Sequence, residues 1–179
     1  KLASILYCDE ELYGQVKGGV FYPAPSALTA RHPTLKALIM GGALDQLKSA
    51  QTGHGGGLNL DQVTFQTPIS DADKIICVGM NYRKPYPVDG IVPSDPSNII
   101  LFGKERESLI GHEQTLDIPT GDAAKSFEYE GEIAVVIGKA GSHIQEATAL
   151  EHVLGYSVLN GGSVRDWQKH SIYAGKNFA

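Results

Sequence analysis

Residues Ser126–Gly138 read SFEYEGEIAVVIG. Glu128, Glu130 and Glu132 are spaced two apart and lead into the apolar run Ile133–Ile137. Side chains two apart on a strand share a face. The spacing therefore predicts three carboxylates along one side of a strand that ends inside a core. Ile133, Val135 and Ile137 take one face; the glutamates, Ala134 and Val136 take the other. Like charges this close repel unless a positive group sits between them or water screens them. Two explanations stay open. One is a half-exposed strand with a solvated, charged end. The other is a hard-cation site, since Mg²⁺, Mn²⁺ and Ca²⁺ take oxygen ligands and two carboxylates on a rigid strand can reach one ion.

Outward from this stretch, short strands outnumber helices. "LASILYC" and "QVKGGVFY" predict strands, with a hairpin turn at Gly18–Gly19. "HPTLKALIMGGALDQLKSA" predicts a helix pair: Leu35, Leu38 and Ile39 share a face, Gly41–Gly42 breaks the run, and Leu44 and Leu47 resume it. "QTGHGGG" (51–57) is linker-like, with His54 a solvated loop residue. "DKIICVGMNY" predicts a buried strand ending in a Gly turn, and "NYRKPYPVDGIVPSDPSN" is too rich in Pro for helix or interior strand. "QEATALEHVLGYSVLN" starts helical and passes into a strand. The fold class predicted is α+β, rich in β.

At 179 residues the chain is long enough to bury a core without disulfides or metals. Cys8 and Cys77 sit in apolar runs and read as small core residues of a reducing, cytoplasmic protein. The formal net charge is −5, with no cluster of Lys and Arg among aromatics, which argues against nucleic acid or an anionic membrane as partner. No apolar run approaches the roughly 18 residues of a membrane span.

Five motifs in order, "KIICVGMNYR", "SLIGH", "YEGEIAVVIGKAG", "HVLGYSVLNGGSVRDWQ" and "GKNF", resemble the fumarylacetoacetate hydrolase family over roughly Asp73 to Phe178. The resemblance implies a mixed β-sandwich roll (71–179), here incomplete at its C-terminus, behind a small N-terminal α/β domain (1–70). It implies an enzyme, commonly dimeric, that hydrolyses, decarboxylates, dehydrates or tautomerises 2-oxo and β-diketo acids. The enolate is stabilised by a divalent cation, Mg²⁺ or Mn²⁺. Glu130 and Glu132 match the family's Glu-x-Glu metal ligands. Arg165, Gln168 and Lys176 match positions that contact the substrate's acid and keto groups. Lys176 is the candidate catalytic residue, and Tyr82 of the lid string joins the substrate-binding set.

Three segments depart from the pattern. Gly161 stands where the family has a third metal-binding Asp, so the resemblance implies a cation held weakly or not at all. Asn160, expected on the other face of its strand, and Glu128 are the possible substitutes. Pro85 and Val88 stand where a lid His and Glu would activate water, which favours decarboxylation or tautomerisation over hydrolysis. Ala179 stands where the family has Asp. These losses keep an alternative open: a catalytically inactive subunit that binds a ligand or a partner chain, such as a catalytically intact paralogue. His112 is expected to fix a loop backbone, His143 and His152 to lie at the surface, and His170 to be a stand-in base at best.

Overall fold

The computed structural model describes residues 1–50, 56–82 and 94–168. Strands β1 (Leu2–Tyr7), β2 (Glu10–Lys17) and β3 (Val20–Pro23) form a meander. Its second turn is Gly18–Gly19, as expected, with both residues at positive φ (58° and 78°). Its first turn is Cys8–Asp9, also left-handed (48° and 63°). This backbone suits two-residue hairpins because it follows the right-handed twist of the strands. Cys8 is therefore exposed at a hairpin tip, which corrects its placement in the core. The apolar run before it is β1, and the turn begins one residue after that run.

Strands β4 (Leu58–Asn59) and β5 (Thr64–Phe65) complete an antiparallel five-stranded sheet, ordered β4-β3-β2-β1-β5. Its two faces bury different clusters. Ala3, Ile5 and Phe21 pack with Leu12, Val16 and Phe65 on one side. Tyr13, on the other, meets the helices α1 (Ser26–Thr29), α2 (Leu35–Met40) and α3 (Leu44–Ser49) through Leu28, Leu35, Leu38 and Leu47. The expected helix pair is α2 and α3. Thr34 caps α2 by accepting from the Ala37 N–H, and its hydroxyl donates to Asp71 Oδ2 at 2.8 Å. Lys36 adds contacts to Asp71 O (2.9 Å) and Asp73 Oδ1 (2.6 Å), tying the helices to the chain beyond the sheet.

That second region contains antiparallel ribbons. Strands β6 (Ile76–Gly79) and β7 (Ile100–Gly103) pair; so do β8 (Phe127–Glu128) and β11 (Ser163–Val164), and β9 (Gly131–Ile137) and β10 (Val153–Asn160). The turn before β10 is a 3₁₀ helix, Glu146–His152, where an α-helical start was expected. The β9 alternation is as read from the sequence: Glu132, Ala134 and Val136 are partly covered, whereas Ile133, Val135 and Ile137 are exposed. Ile76 and Val78 of β6 are exposed as well, which corrects the expectation of a buried strand, and Val158 of β10 is 87% exposed. A strand run this apolar suits cover on both faces; here each ribbon has one face partly covered. The α+β, β-rich class stands, and the ribbons form part of the expected roll.

Candidate functional site

The three glutamates do not line one strand. β8 ends at Glu128 and β9 begins at Gly131, so Tyr129–Glu130 is a break. Two bonds pin it. The Glu130 N–H donates to Asn160 Oδ1 (3.1 Å), and the Gly161 N–H donates to Glu130 O (2.8 Å). The Asn160 side-chain oxygen thus holds the backbone of the break, while the register, with Asn160 opposite Gly131 and Leu159 opposite Glu132, keeps that side chain on the face away from Glu132, as expected.

A positive group does sit between the carboxylates, and it is Arg165. Its Nε lies 3.0 Å from Glu128 Oε2 and its Nη2 3.0 Å from Glu130 Oε1. Its Nη1 donates to Gln168 Oε1 at 3.0 Å. Ser163 Oγ donates to the same Glu130 oxygen at 2.8 Å. The pairing of β11 with β8 sets Ser163 across from Glu128 and so delivers Arg165 two residues on. A guanidinium suits this position because its planar fork serves two oxygens at once.

Glu132 is on the covered side of β9, and its carboxylate occupies the space beside Gly161. A Cβ built at Gly161 would fall 2.3 Å from Glu132 Oε1. Burial, and secondarily the charge of Glu130, push the Glu132 carboxyl above its ordinary range, opposed by Lys104. Burial likewise pushes the Cys77 thiol up, with Lys104 opposing and both glutamates reinforcing. Lys104 and the half-buried Cys77 therefore share the electrostatic field of the pair. In the sequence Lys104 and Ser163 were not read as site residues, and Cys77 was read only as a small core residue.

An acid whose pKa is raised by folding costs stability once pH exceeds the ordinary carboxylate range, because the folded chain then loses a proton it holds better than the unfolded chain. Glu132→Gln is therefore expected to raise the melting temperature at neutral pH. The gain should vanish at pH values low enough to protonate carboxyls in both states. A gain independent of pH in thermal melts would show that burial of the charge is not the cause.

The other candidates are dispersed. Tyr82 lies beyond the end of β6 and is 66% exposed. Lys176 and His170 lie outside the described residues, as do His54, Pro85 and Val88. His112 packs its ring edge-on to Phe65, with centroids 5.5 Å apart. His143 is exposed and its Nδ1 contacts Ser142 Oγ, while His152 Nδ1 bonds Lys139 O at 2.8 Å.

The donor set does not fit a resident divalent cation. Glu130 Oε1 is shared by Arg165 and Ser163, Glu132 is turned onto Gly161, and Glu128 is paired with Arg165. Among the described residues no group of three or more His, Cys, Asp or Glu converges as a metal cage. A hard cation offered two carboxylates keeps its waters and binds weakly.

The family model for the C-terminal domain of fumarylacetoacetate (FAA) hydrolase matches residues 74–179. A mitochondrial oxaloacetate tautomerase of Xenopus laevis is 37% identical over 127 residues, covering 70% of this chain and 38% of the relative. The oxaloacetate tautomerase YisK of Bacillus subtilis is 36% identical over 129 residues, covering 66% and 40%. The solved structure of a fumarylacetoacetate hydrolase from Exiguobacterium antarcticum aligns with a TM-score of 0.74 at 26% identity, over 96% of this chain and 59% of that one. The maleylpyruvate hydrolase of Sphingobium, solved with manganese(II) and pyruvate, shares the fold at a TM-score of 0.65 and 22% identity, over 90% and 59%. The chain thus spans about two fifths of the curated relatives it matches. These relatives carry enzyme names, which lends the inactive-subunit alternative no support. With the model matching more than half of its length, the chain belongs to the fumarylacetoacetate hydrolase family.

Proposed function

We propose that the chain carries the substrate-binding part of an enzyme for small 2-oxo or β-diketo acids, with keto–enol tautomerisation of an oxaloacetate-like dicarboxylate as its reaction. The observation that carries this is Arg165, held by Glu128 and Glu130 with Gln168 on its third nitrogen. Of the five N–H groups of the guanidinium, the three bonds to Glu128, Glu130 and Gln168 leave two for a substrate carboxylate, and Gln168 offers an amide to the neighbouring keto oxygen. Tautomerisation asks that a base take a proton from the α-carbon, that the enolate oxygen be stabilised, and that this oxygen then take up a proton to give the enol. Nothing in it needs an activated water, in keeping with Pro85 and Val88 in the lid string. Positive charge for the enolate comes from the chain: Arg165, Lys104 beside Glu132, and Lys176 as the catalytic lysine. Tyr82 completes the substrate set. Divalent-cation affinity at Glu130 and Glu132 is weak in this assignment.

The names of the two tautomerase relatives support the substrate class. Residues 1–70 are assigned to a leading domain and 71–179 to the domain bearing the site. The assembly proposed is a homodimer, and the exposed face of β9 and β10 is a surface such pairing would cover. Among the described residues no helix is long and apolar enough to cross a membrane. The cytoplasm is proposed as the compartment, with both cysteines free; the Xenopus relative is named mitochondrial.

The test follows the enol absorbance of oxaloacetate, with and without Mg²⁺ or Mn²⁺, for the chain and for Arg165→Lys. Turnover should fall at least tenfold in the variant, which keeps the charge and loses the fork. No turnover of oxaloacetate or of any of a panel of 2-oxo and β-diketo acids would overturn the assignment.

A further inference from the structure

We propose that Arg165 is the resident cation of the glutamate cluster, so that a divalent metal ion can bond Glu130 Oε1 only by displacing the guanidinium. The inference rests on the same site as the proposed function, yet it concerns binding and not turnover. Glu130 Oε1 already accepts from Ser163 Oγ at 2.8 Å and faces Arg165 Nη2 at 3.0 Å. A metal ion at bonding distance from that oxygen would put its two positive charges against the guanidinium across a single shared carboxylate oxygen. Coulomb repulsion at such a separation amounts to several kcal/mol even with effective screening by the protein. Arg165 would have to turn away, keeping Glu128, which its Nε contacts at 3.0 Å, as its remaining carboxylate partner.

The neighbouring geometry agrees. Glu132, the second expected ligand, rests beside Gly161, where a Cβ would sit 2.3 Å from its Oε1. The cluster is organised around a guanidinium. A consequence for ligand order follows: a displaced Arg165 has a nitrogen freed for an incoming carboxylate. Metal and oxo acid should then bind with positive coupling, each favouring the arrangement the other needs.

Two readouts independent of activity test this. Mn²⁺ affinity is measured from the spin-resonance signal of the free ion, for the parent, Arg165→Met and Arg165→Lys. The exposure of Arg165 is measured by labelling the parent with an arginine-selective dicarbonyl, located by mass spectrometry, with and without Mn²⁺. Arg165→Met should bind Mn²⁺ at least tenfold more tightly than the parent, with Arg165→Lys between them. Mn²⁺ should speed labelling of Arg165 severalfold. A general electrostatic effect of removing a cation would tighten binding without exposing Arg165, so unchanged or slower labelling overturns the proposal. So does equal or weaker Mn²⁺ affinity in Arg165→Met, with far-ultraviolet dichroism confirming that the variant is folded. If both effects appear and oxaloacetate is not turned over, the displacement is upheld and the activity assignment alone fails.

Discussion

Gly161→Asp is expected to convert a weak metal site into a firm one, raising Mn²⁺ and Mg²⁺ affinity about 100-fold. That factor corresponds to roughly 2.7 kcal/mol. It is a modest share of the attraction between a carboxylate and a divalent ion at contact, the rest being offset by stripping water from both. The backbone permits the change, because Gly161 is not among the residues at positive φ. The new Cβ would collide with Glu132 Oε1 at 2.3 Å, but that atom ends a flexible side chain. The carboxylate of Glu132 must swing off the Gly161 position to make room. The substitution thus adds one ligand and redirects another. Calorimetric titration of the parent and the variant checks it, with thermal melts to confirm folding. An affinity within threefold of the parent would mean that Glu132 does not turn and that Gly161 is not what weakens the site.

How much of this was legible in advance depends on the range of the interactions. The Gly18–Gly19 hairpin and the α2–α3 pair were visible because turn chemistry and helical spacing act over a few residues. The chemistry of Glu130 and Glu132 was also visible as a spacing. The break at Tyr129–Glu130 was not, because it is enforced by Asn160 and Gly161, about thirty positions along the chain. The partner of the glutamates was hidden for the same reason. Arg165 looked like a free fork for substrate, and only the β8–β11 pairing shows it already spanning Glu128 and Glu130. Cys8 shows the converse error: an apolar run does not reveal on which residue the hairpin turns. The exposed faces of β6 and β9 were misjudged because alternation tells which side chains share a face and nothing of what lies against it.

The largest loss of stability is expected from a single methyl group at Gly111. A Cβ there would fall 1.8 Å from Phe65 O and 2.5 Å from Phe65 C, with Gln66 Cα at 3.0 Å. All three are backbone atoms, so no side chain can rotate away; the two segments must part. Phe65 belongs to β5, which pairs with β1 through Ile5, a fully buried core residue. On the other side, Gln114 fastens the same seam, accepting from the Gly111 N–H at 2.9 Å and donating to Phe65 O at 3.1 Å. Forcing such an overlap apart should cost about 3 kcal/mol, the upper end for overpacking. For a chain of this size that lowers the melting temperature by roughly 6–12 °C. Gly155→Ala is the control: its Cβ meets nothing within 4 Å, and replacing a strand glycine by alanine should stabilise by about 0.5–1 kcal/mol. The seam also reaches the candidate site. The loop beyond Gly111 carries Leu116, whose Cδ1 lies 3.4 Å from the Cβ position of Gly162, next to Gly161. Gly111→Ala should therefore weaken binding of oxalate, a stable mimic of a 2-oxo acid, at temperatures where the chain is still folded. Melts of both variants and oxalate titrations below the transition decide it. A melting point within 3 °C of the parent would show that the backbones separate cheaply and that this seam does not brace the site.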